Sequence, residues 1–324
     1  MKKINVDVHA LIVAGGIGSR SENPTQPKIL QEILPGKSLI TFHLENLRRE
    51  HISKATFLLG YKAKEVIEEL ENLQKIFSEI EINFKVEDQP LGTYGSVQKA
   101  SKEIRESKLV VIYGDILINA NYSKLLQIWS RARTAAAVIV HPNLHPDDSD
   151  LVQTDENNLV TLAGKQSSEI LNGTQPLRAM AGVYFVERTA LIELPHGQGD
   201  FTKDFLTRLI SLNSLLAINS SDFFSDTGTP ERLAQAREAI VSGNYLRRGS
   251  SRKVAVFIDR DGTIVEDVGT ARKDLLSNEI EEAIAIQIQS LNRIGVIVFV
   301  VTNQPGVAKG QINLVDVKLV QKKI

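Results

Sequence analysis

The chain has 324 residues, 42% of them hydrophobic and 24% charged, with a formal net charge of −1 and no cysteine. At roughly 100–200 residues per domain, that is the profile of a soluble globular protein of two domains, or of one large domain with an appendage. It excludes disulfides and thiolate metal sites, fits a reducing cytoplasm, and supplies no basic field that would make nucleic acid a partner.

The opening "MKKINVDVHALIVAGG" has a short apolar part interrupted by Asp7 and His9. It reads as a first strand, not as a signal peptide. No apolar run approaches the ~18–20 residues of a membrane helix, so no membrane partner is expected. Strand and helix patterns then alternate. "SLITFHLENLRREHI" has helical spacing, "KATFLLG" is a strand, and "KAKEVIEELENLQKIF" is an amphipathic helix. "EINFKVED", "KLVVIYGD" and "TAAAVIVHP" are further strands, with helices expected over 94–105 and 122–133 between them. Continuous apolar strands alternating with helices predict an α/β fold with a Rossmann-like, mostly parallel sheet. From 149 to 185 the pattern is strand-rich, which predicts a small antiparallel insertion. "FTKDFLTRLISL" and "TPERLAQAREAIVSG" restore helices. "SGNYLRRGSSRK" (242–253) is rich in glycine, serine and arginine and reads as a linker. One strand–helix–strand unit follows it.

The strongest local signal is "LIVAGGIGSRSENPTQPKIL". A buried strand runs into Ala14, Gly15, Gly16, Gly18 and Ser19, then Arg20 and Lys28. Glycines let backbone N–H groups close on a phosphate, and successive N–H groups form an anion nest. Arg20 can hold a phosphate through two donors, and Lys28 brings a mobile point charge. The run lacks the Gly-Lys-Ser/Thr ending of a Walker A loop and does not fit G-x-G-x-x-G. A tight strand–helix turn with surface cations is the bland alternative.

This loop, with its Pro27-Lys28 pair, resembles that of the sugar-1-phosphate nucleotidylyltransferases. Four further segments resemble that family in the right order: "QPLGTYGSV", "YGD" ending at Asp115, "GVYFV" beginning at Gly182, and "SDTGTPERL". The resemblance covers residues 8–240. It implies transfer of a nucleotidyl group from a nucleoside triphosphate to a sugar 1-phosphate, with release of pyrophosphate. Both reactants are anionic, so positioning and charge neutralisation dominate the chemistry. By resemblance Asp115 and Asp226 are Mg²⁺ ligands, and Arg20, Lys28, Asp115 and Asp226 are the catalytic set. Residue by residue, a lone Asp at a strand end is also an ordinary turn or cap, and Asp226 could simply open a helix capped by Thr229. The resemblance also implies nucleotide contacts from Ala14, Gly15, Gly16, Gly18, Ser19, Arg20, Glu87, Gly92 and Thr93. Sugar-phosphate contacts would come from Lys165, Gly182, Lys203 and Asp204.

A carboxylate at Glu87 accepts two hydrogen bonds, matching the N1–H and N2–H₂ donors of guanine. That favours GTP, against a solvated strand-end charge. Tyr94 replaces the family's usual small residue and is expected beside the base. Thr202 stands where a sugar-binding Glu is usual, which leaves the sugar open.

The last segment contains "AVFIDRDGTIVEDVG" and "VVTNQPGVAKGQ". It resembles the haloacid-dehalogenase-like phosphatases, in the branch that acts on heptose 1,7-bisphosphate. The resemblance implies Asp259 as nucleophile, Asp261 as general acid/base, and Thr302 and Asn303 on the phosphoryl group. The family's later lysine and second acidic motif do not follow, so a partial, inactive phosphatase-like unit is expected, mobile or docked on the first domain or another subunit. The expected division is a transferase domain at 1–241, a linker at 242–253 and the phosphatase-like segment at 254–324. Fusion of two consecutive steps points to D-glycero-D-manno-heptose 1-phosphate as the sugar substrate, alongside the GTP that Glu87 favours. Mannose-1-phosphate guanylylation, cytidylylation of an alcohol phosphate, a bifunctional enzyme on a longer chain and a non-catalytic nucleotide-binding regulator are the alternatives. The sequence does not fix whether the chain acts alone or as a homo-oligomer.

Overall fold

The computed structural model describes residues 7–16, 25–142, 149–165, 170, 176–193, 197–250, 252–265 and 280–323. Strand β1 (Val8–Ala14) leads through a 3-10 turn at Lys28–Leu30 to the short hairpin β2 (Glu32–Leu34) and β3 (Lys37–Ser38). Then come α1 (Leu39–Arg49), β4 (Lys54–Leu59), α2 (Ala63–Ile76), β5 (Glu81–Val86), α3 (Gly92–Ser101) and β6 (Lys108–Tyr113). β1 lies between β4 and β6, parallel to both, with β5 outside β4. β1, β4 and β6 are largely apolar because both their faces are covered, whereas the edge strand β5 is mixed in sequence and mostly exposed. Along β1, Ala10 and Ile12 enter one core with α1 and α2, while Leu11 enters the other with α3.

Next come β7 (Ile116–Asn119), α4 (Tyr122–Trp129), β8 (Ala136–Pro142), β9 (Asp150–Thr154), β10 (Val160–Lys165) and β11 (Arg178–Glu187). The expected antiparallel strands are present, but they widen the main sheet to nine strands instead of forming a separate layer. β11 runs antiparallel to β6 and β8, and its first residues pair with β9. Its register with β8 shifts between Met180 and Tyr184. Gly182 sits in that bulge at φ +66°, where a Cβ would lie 2.1 Å from Ile116 Cδ1. Only glycine fits there. Two helices are shorter or earlier than their patterns suggest. α3 begins at Gly92 rather than at 94, and α4 stops at Trp129, before Arg133 takes a left-handed φ of 55°.

Helix α5 (Arg188–Glu193), a π-helical turn at Phe201–Leu206, α6 (Thr207–Ser211), β12 (Leu215–Asn219), β13 (Phe223–Asp226) and α7 (Pro230–Val241) complete this region. The sequence reading does not anticipate the pairing of β13 with β7, antiparallel and apart from the main sheet.

The stretch read as a linker contains helix α8 (Asn244–Gly249), whose Tyr245 is buried. Its ring meets Phe42 and Phe223 edge-on at 5.6 and 5.4 Å. Its carbonyl accepts Asn119 Nδ2 at 2.8 Å, and its hydroxyl donates to the Ile118 carbonyl at 3.3 Å. Composition suggested a flexible tether, but one buried aromatic turns the segment into a packed helix. Beyond it, β14 (Ala255–Asp259) and β15 (Ile297–Val301) are parallel, joined through α9 (Glu282–Arg293), and α10 (Pro305–Ala308) and α11 (Leu314–Lys323) follow. This unit is docked on α8. Asn244 Nδ2 donates to the Asn292 carbonyl and Ser242 Oγ to the Arg293 carbonyl, both at 3.2 Å. One face of its sheet stays open, with Phe257 and Phe299 stacked at 5.1 Å and 69% and 46% exposed.

At the end of the sheet opposite Asp115, His9 is buried between Thr56 (Nε2 to Oγ1, 2.8 Å) and Glu106 (Nδ1 to Oε2, 3.3 Å). Burial lowers the His9 pKa, against the pull of Glu106. The unfolded chain therefore takes up this proton before the folded one does. The stability is complete above the ordinary histidine value of about 6.5 and is lost as pH falls below it. Unfolding free energies measured from pH 8 to 5 are expected to fall less steeply in His9→Asn than in the wild type; identical slopes would contradict this. Tyr245→Ala is expected to destabilise the chain by about 3 kcal/mol, seen as a lower urea midpoint. An unchanged midpoint would mean that α8 is not docked.

Candidate active site

The carboxyl ends of β1, β4 and β6 meet at one edge of the sheet, where open α/β sheets carry their ligands. β1 ends in Ala14, Gly15 and Gly16. The Gly15 carbonyl accepts the Tyr61 N–H at 3.2 Å, and a Cβ on Gly60 would stand 2.8 Å from that carbonyl. The backbones of the two strand ends are therefore pressed together. Gly18, Ser19 and Arg20 lie outside the described residues. The chain is described again from Thr25, and Pro27 leads into the turn that presents Lys28.

Lys28 Nζ lies 3.0 Å from Asp115 Oδ2. Asp115 sits in the two-residue step between β6 and β7. Asp226 ends β13 and is opposite Ile116 in the β7–β13 register, so strand pairing brings together two aspartates 111 positions apart in sequence. Its Oδ2 takes Arg232 Nη1 at 3.0 Å, and its Oδ1 takes the Gly228 N–H. A Cβ on Gly228 would stand 2.7 Å from Asp226 Oδ1 and 3.3 Å from Lys28 Nζ, so all three side chains share one corner. Thr229 caps α7, accepting the Arg232 N–H at 3.4 Å, with Pro230 at the first helical position. Two carboxylates thus face two cationic side chains. Sequence reasoning missed Arg232; its place in the first turn of a helix capped next to Asp226 was the available signal.

The backbone around Asp115 is pinned. Gly114 N–H donates to the Val13 carbonyl at 2.9 Å, and the Gly114 carbonyl accepts from His43 Nε2 at 3.1 Å. The Asp115 carbonyl accepts both the N–H and the Oγ–H of Thr227, at 3.0 and 2.8 Å. His43 and Thr227 are buried. Burial lowers the His43 pKa to about 4, so its imidazole is neutral and its Nε2 proton makes the bond.

The other predicted positions fall in two groups. Glu87 uses its carboxylate at the start of α3: Oε2 accepts the Leu91 N–H at 3.3 Å and Oε1 accepts the Ser96 hydroxyl. Each oxygen keeps a second lone pair. Gly92 has φ +71°, and a Cβ there would strike the Gly199 carbonyl at 2.3 Å. Thr93 Oγ1 accepts the Phe201 N–H at 2.7 Å. Tyr94, expected beside the base, is buried in the core under α3 and stacked on Phe205 at 5.6 Å. A shallow cavity beside Glu87 is lined by Leu58, Lys85, Leu91 and Lys99, and includes none of Lys28, Asp115 or Asp226.

On the far side, Lys165 is exposed at the end of β10, opposite Asp150 of β9. Burial raises the Asp150 pKa; Lys165 and Lys203 pull it down and Asp200 pushes it up. The two predicted lysines therefore act on one carboxylate. Asp200 caps the π-helical turn through Thr202 N–H and Lys203 N–H, each at 2.9 Å, and Asp204 Oδ2 accepts the Asp200 N–H at 2.6 Å. Gly182 serves the bulge described above.

In the C-terminal unit, Asp261 is surrounded by donors: Arg260 through two nitrogens at 3.0 and 3.1 Å, Thr302 Oγ1 at 2.7 Å and Gln304 Nε2 at 2.7 Å. Asp259 Oδ1 accepts the Arg260 N–H at 3.0 Å, and Asn303 is exposed. Among the described residues no cluster of three or more His, Asp or Glu is arranged to hold a metal. No helix among them is long and apolar enough to cross a membrane.

The sequence matches the Nucleotidyl transferase family over residues 9–243. It is 24% identical over 238 residues to the D-glycero-alpha-D-manno-heptose 1-phosphate guanylyltransferase of Aneurinibacillus thermoaerophilus, covering 72% of this chain and 98% of that protein. It is 25% identical over 276 residues to the bifunctional protein GlmU of Gloeothece citriformis; that match takes in 83% of this chain but spans only 59% of the relative's length. The crystal structure of HddC from Yersinia pseudotuberculosis superposes with a TM-score of 0.61 at 24% identity, covering 72% of this chain and 99% of that one, and HddC has also been solved with GMP-PN. At that identity the superposition shows the shared α/β fold. The family match spans more than two thirds of the sequence and contains Lys28, Asp115 and Asp226: the chain belongs to the nucleotidyl transferase family.

Proposed function

We propose that this chain is a sugar-1-phosphate guanylyltransferase that activates D-glycero-D-manno-heptose 1-phosphate with GTP. The observation that carries this reading is the corner where Lys28, Asp115 and Asp226 converge at the carboxyl edge of the parallel strands. A phosphate oxygen of the sugar 1-phosphate forms a bond to the α-phosphorus of GTP. The bond from that phosphorus to the bridging oxygen of the β-phosphate breaks, and pyrophosphate leaves.

The donor set of the corner is two carboxylates, the hard oxygen ligands that suit Mg²⁺. Each now faces a cationic side chain, so the site already accommodates positive charge. Asp115 and Asp226 would hold the ion, which when bound neutralises phosphate charge. Lys28 supplies a point charge to the triphosphate, and Arg20 is assigned the paired-donor phosphate contact. Ala14, Gly15, Gly16, Gly18 and Ser19 approach the phosphates through backbone N–H groups. Gly92 and Thr93 line the nucleotide, and Glu87 reads guanine with the lone pairs that the α3 contacts leave free. Lys165 and Lys203 bind the sugar phosphate, with Gly182 and Asp204 beside them. The guanylyltransferase names of the relatives support the base and the heptose.

The second unit is read as a phosphatase-like segment at 254–324 behind a transferase domain at 1–241, with Asp259 and Asp261 in the nucleophile and acid/base positions and Thr302 and Asn303 at the phosphoryl group. Four donor contacts on Asp261 from Arg260, Thr302 and Gln304 leave it poorly placed to deliver a proton. The segment is accordingly assigned no turnover.

Asp115→Asn is expected to lower kcat/KM for pyrophosphate release at least about 100-fold. Unchanged turnover would remove Asp115 from the site. Assaying GTP, UTP, CTP, ATP and dTTP against heptose, mannose and glucose 1-phosphates should give the fastest rate for GTP with the heptose. A faster rate with another base would sink the guanine reading, and a faster rate with mannose 1-phosphate would replace the sugar. Heptose 1,7-bisphosphate should yield no phosphate that depends on Asp259; robust release lost in Asp259→Asn would overturn the claim of inactivity.

A further inference from the structure

The geometry points to a buried backbone clamp, made by Thr227 and His43, that sets the spacing of the Asp115 and Asp226 carboxylates and thereby the affinity of the pair for a divalent cation. The inference rests on the proposal that these two aspartates are the metal ligands. Neither Thr227 nor His43 belongs to the ligand set. They are positioning residues that act on the peptide units either side of the Asp115 Cα.

Two carboxylates that share one cation repel each other. Lys28 and Arg232 each pair with one of the acids, so without a frame the two would be free to follow separate partners, and binding would have to include drawing them together again. The frame is visible in the hydrogen bonds. Thr227 is bonded covalently to Asp226 and donates twice, through N–H and Oγ–H, to the carbonyl of Asp115. That oxygen has two lone pairs, so Thr227 saturates it. On the other side, His43 donates to the Gly114 carbonyl while Gly114 N–H is held by Val13. Both peptide units flanking the Asp115 Cα are therefore held, one by Thr227 and the other by His43 of α1, while the Tyr113–Gly114 peptide before them is held by Val13 of β1. The β7–β13 register fixes the Asp226 Cα opposite Ile116. The remaining freedom lies in the two short side chains.

Thr227 is fully buried and His43 nearly so. A threonine hydroxyl needed only for packing would tolerate valine, which has the same shape. The clamp instead requires the hydroxyl proton. The corresponding requirement at position 43 is an N–H donor at the reach of Nε2.

The test is Mn²⁺ binding to the full chain without nucleotide, followed by electron paramagnetic resonance. Thr227→Val is expected to weaken Mn²⁺ binding about 10-fold, and Thr227→Ser to restore it. His43→Leu should weaken it similarly, and His43→Gln, which offers an amide N–H, should recover part of the loss. The KM for GTP measured at saturating metal should stay within about twofold in Thr227→Val, because the lost contact does not touch the nucleotide. Wild-type Mn²⁺ affinity in Thr227→Val, or a Thr227→Ser variant as weak as Thr227→Val, would overturn the clamp. Should either site tolerate no change in folding, the other carries the test, since it acts on the opposite peptide through a separate bond. Asp115→Asn separates the two claims. If it binds Mn²⁺ like the wild type, the metal reading fails; if it loses Mn²⁺ while Thr227→Val and His43→Leu do not, only the clamp fails.

Discussion

Chemistry between two polyanions needs positive charge gathered at one point, and the acids that gather it repel each other. The fold answers this with strand pairing away from its main sheet. β7 and β13 are four residues each and come from distant parts of the chain, yet their register sets Asp226 opposite Ile116 and next to Asp115. Thr227 and His43 tie the same corner to the protein through backbone carbonyls. Lys28 reaches it from the turn after β1. Gly228 keeps that corner narrow, because a Cβ there would meet Asp226 Oδ1 at 2.7 Å, and Gly60 lets the ends of β1 and β4 close, because its Cβ would meet the Gly15 carbonyl at 2.8 Å.

The same pairing explains why the segment after the family match is not a free tether. α8 lies under β7 and β13, and Tyr245 bonds to the carbonyl of Ile118 and contacts Phe223. Asn119, buried in β7, donates back to the Tyr245 carbonyl. The strand pair beside the acids is thus braced by a helix whose other side holds the C-terminal unit through Asn244 and Ser242. That unit is a two-stranded parallel sheet with Phe257 and Phe299 facing outward, an arrangement parallel strands rarely leave uncovered.

Much of the sheet was legible in the sequence, because buried parallel strands such as "HALIVAGG" and "KLVVIYGD" are continuous apolar runs. Lys28, Asp115 and Asp226, singled out from short motifs far apart in the chain, come together in the fold. Several features were not legible. β7 has four residues and follows Asp115 directly, so periodicity could not separate it from a loop. Tyr94 was expected near a base because its neighbours are motif residues, yet the first turn of α3 points that side chain into the core against Phe205. The α8 segment has the composition of a linker, and one buried tyrosine outweighs that composition. The clamp by His43 and Thr227 was invisible for a simpler reason: it acts on backbone carbonyls, which no residue pattern records.

The central claim is that Asp115 and Asp226 work as one divalent-cation site for guanylyl transfer. The most direct measurement is the Mg²⁺ dependence of pyrophosphate release from GTP and heptose 1-phosphate in the wild type and in Asp226→Asn. The account predicts a saturable Mg²⁺ requirement in the wild type, and in the variant a much higher half-saturating Mg²⁺ concentration with a lower maximal rate. An Asp226→Asn enzyme with wild-type rate and wild-type Mg²⁺ dependence would contradict it.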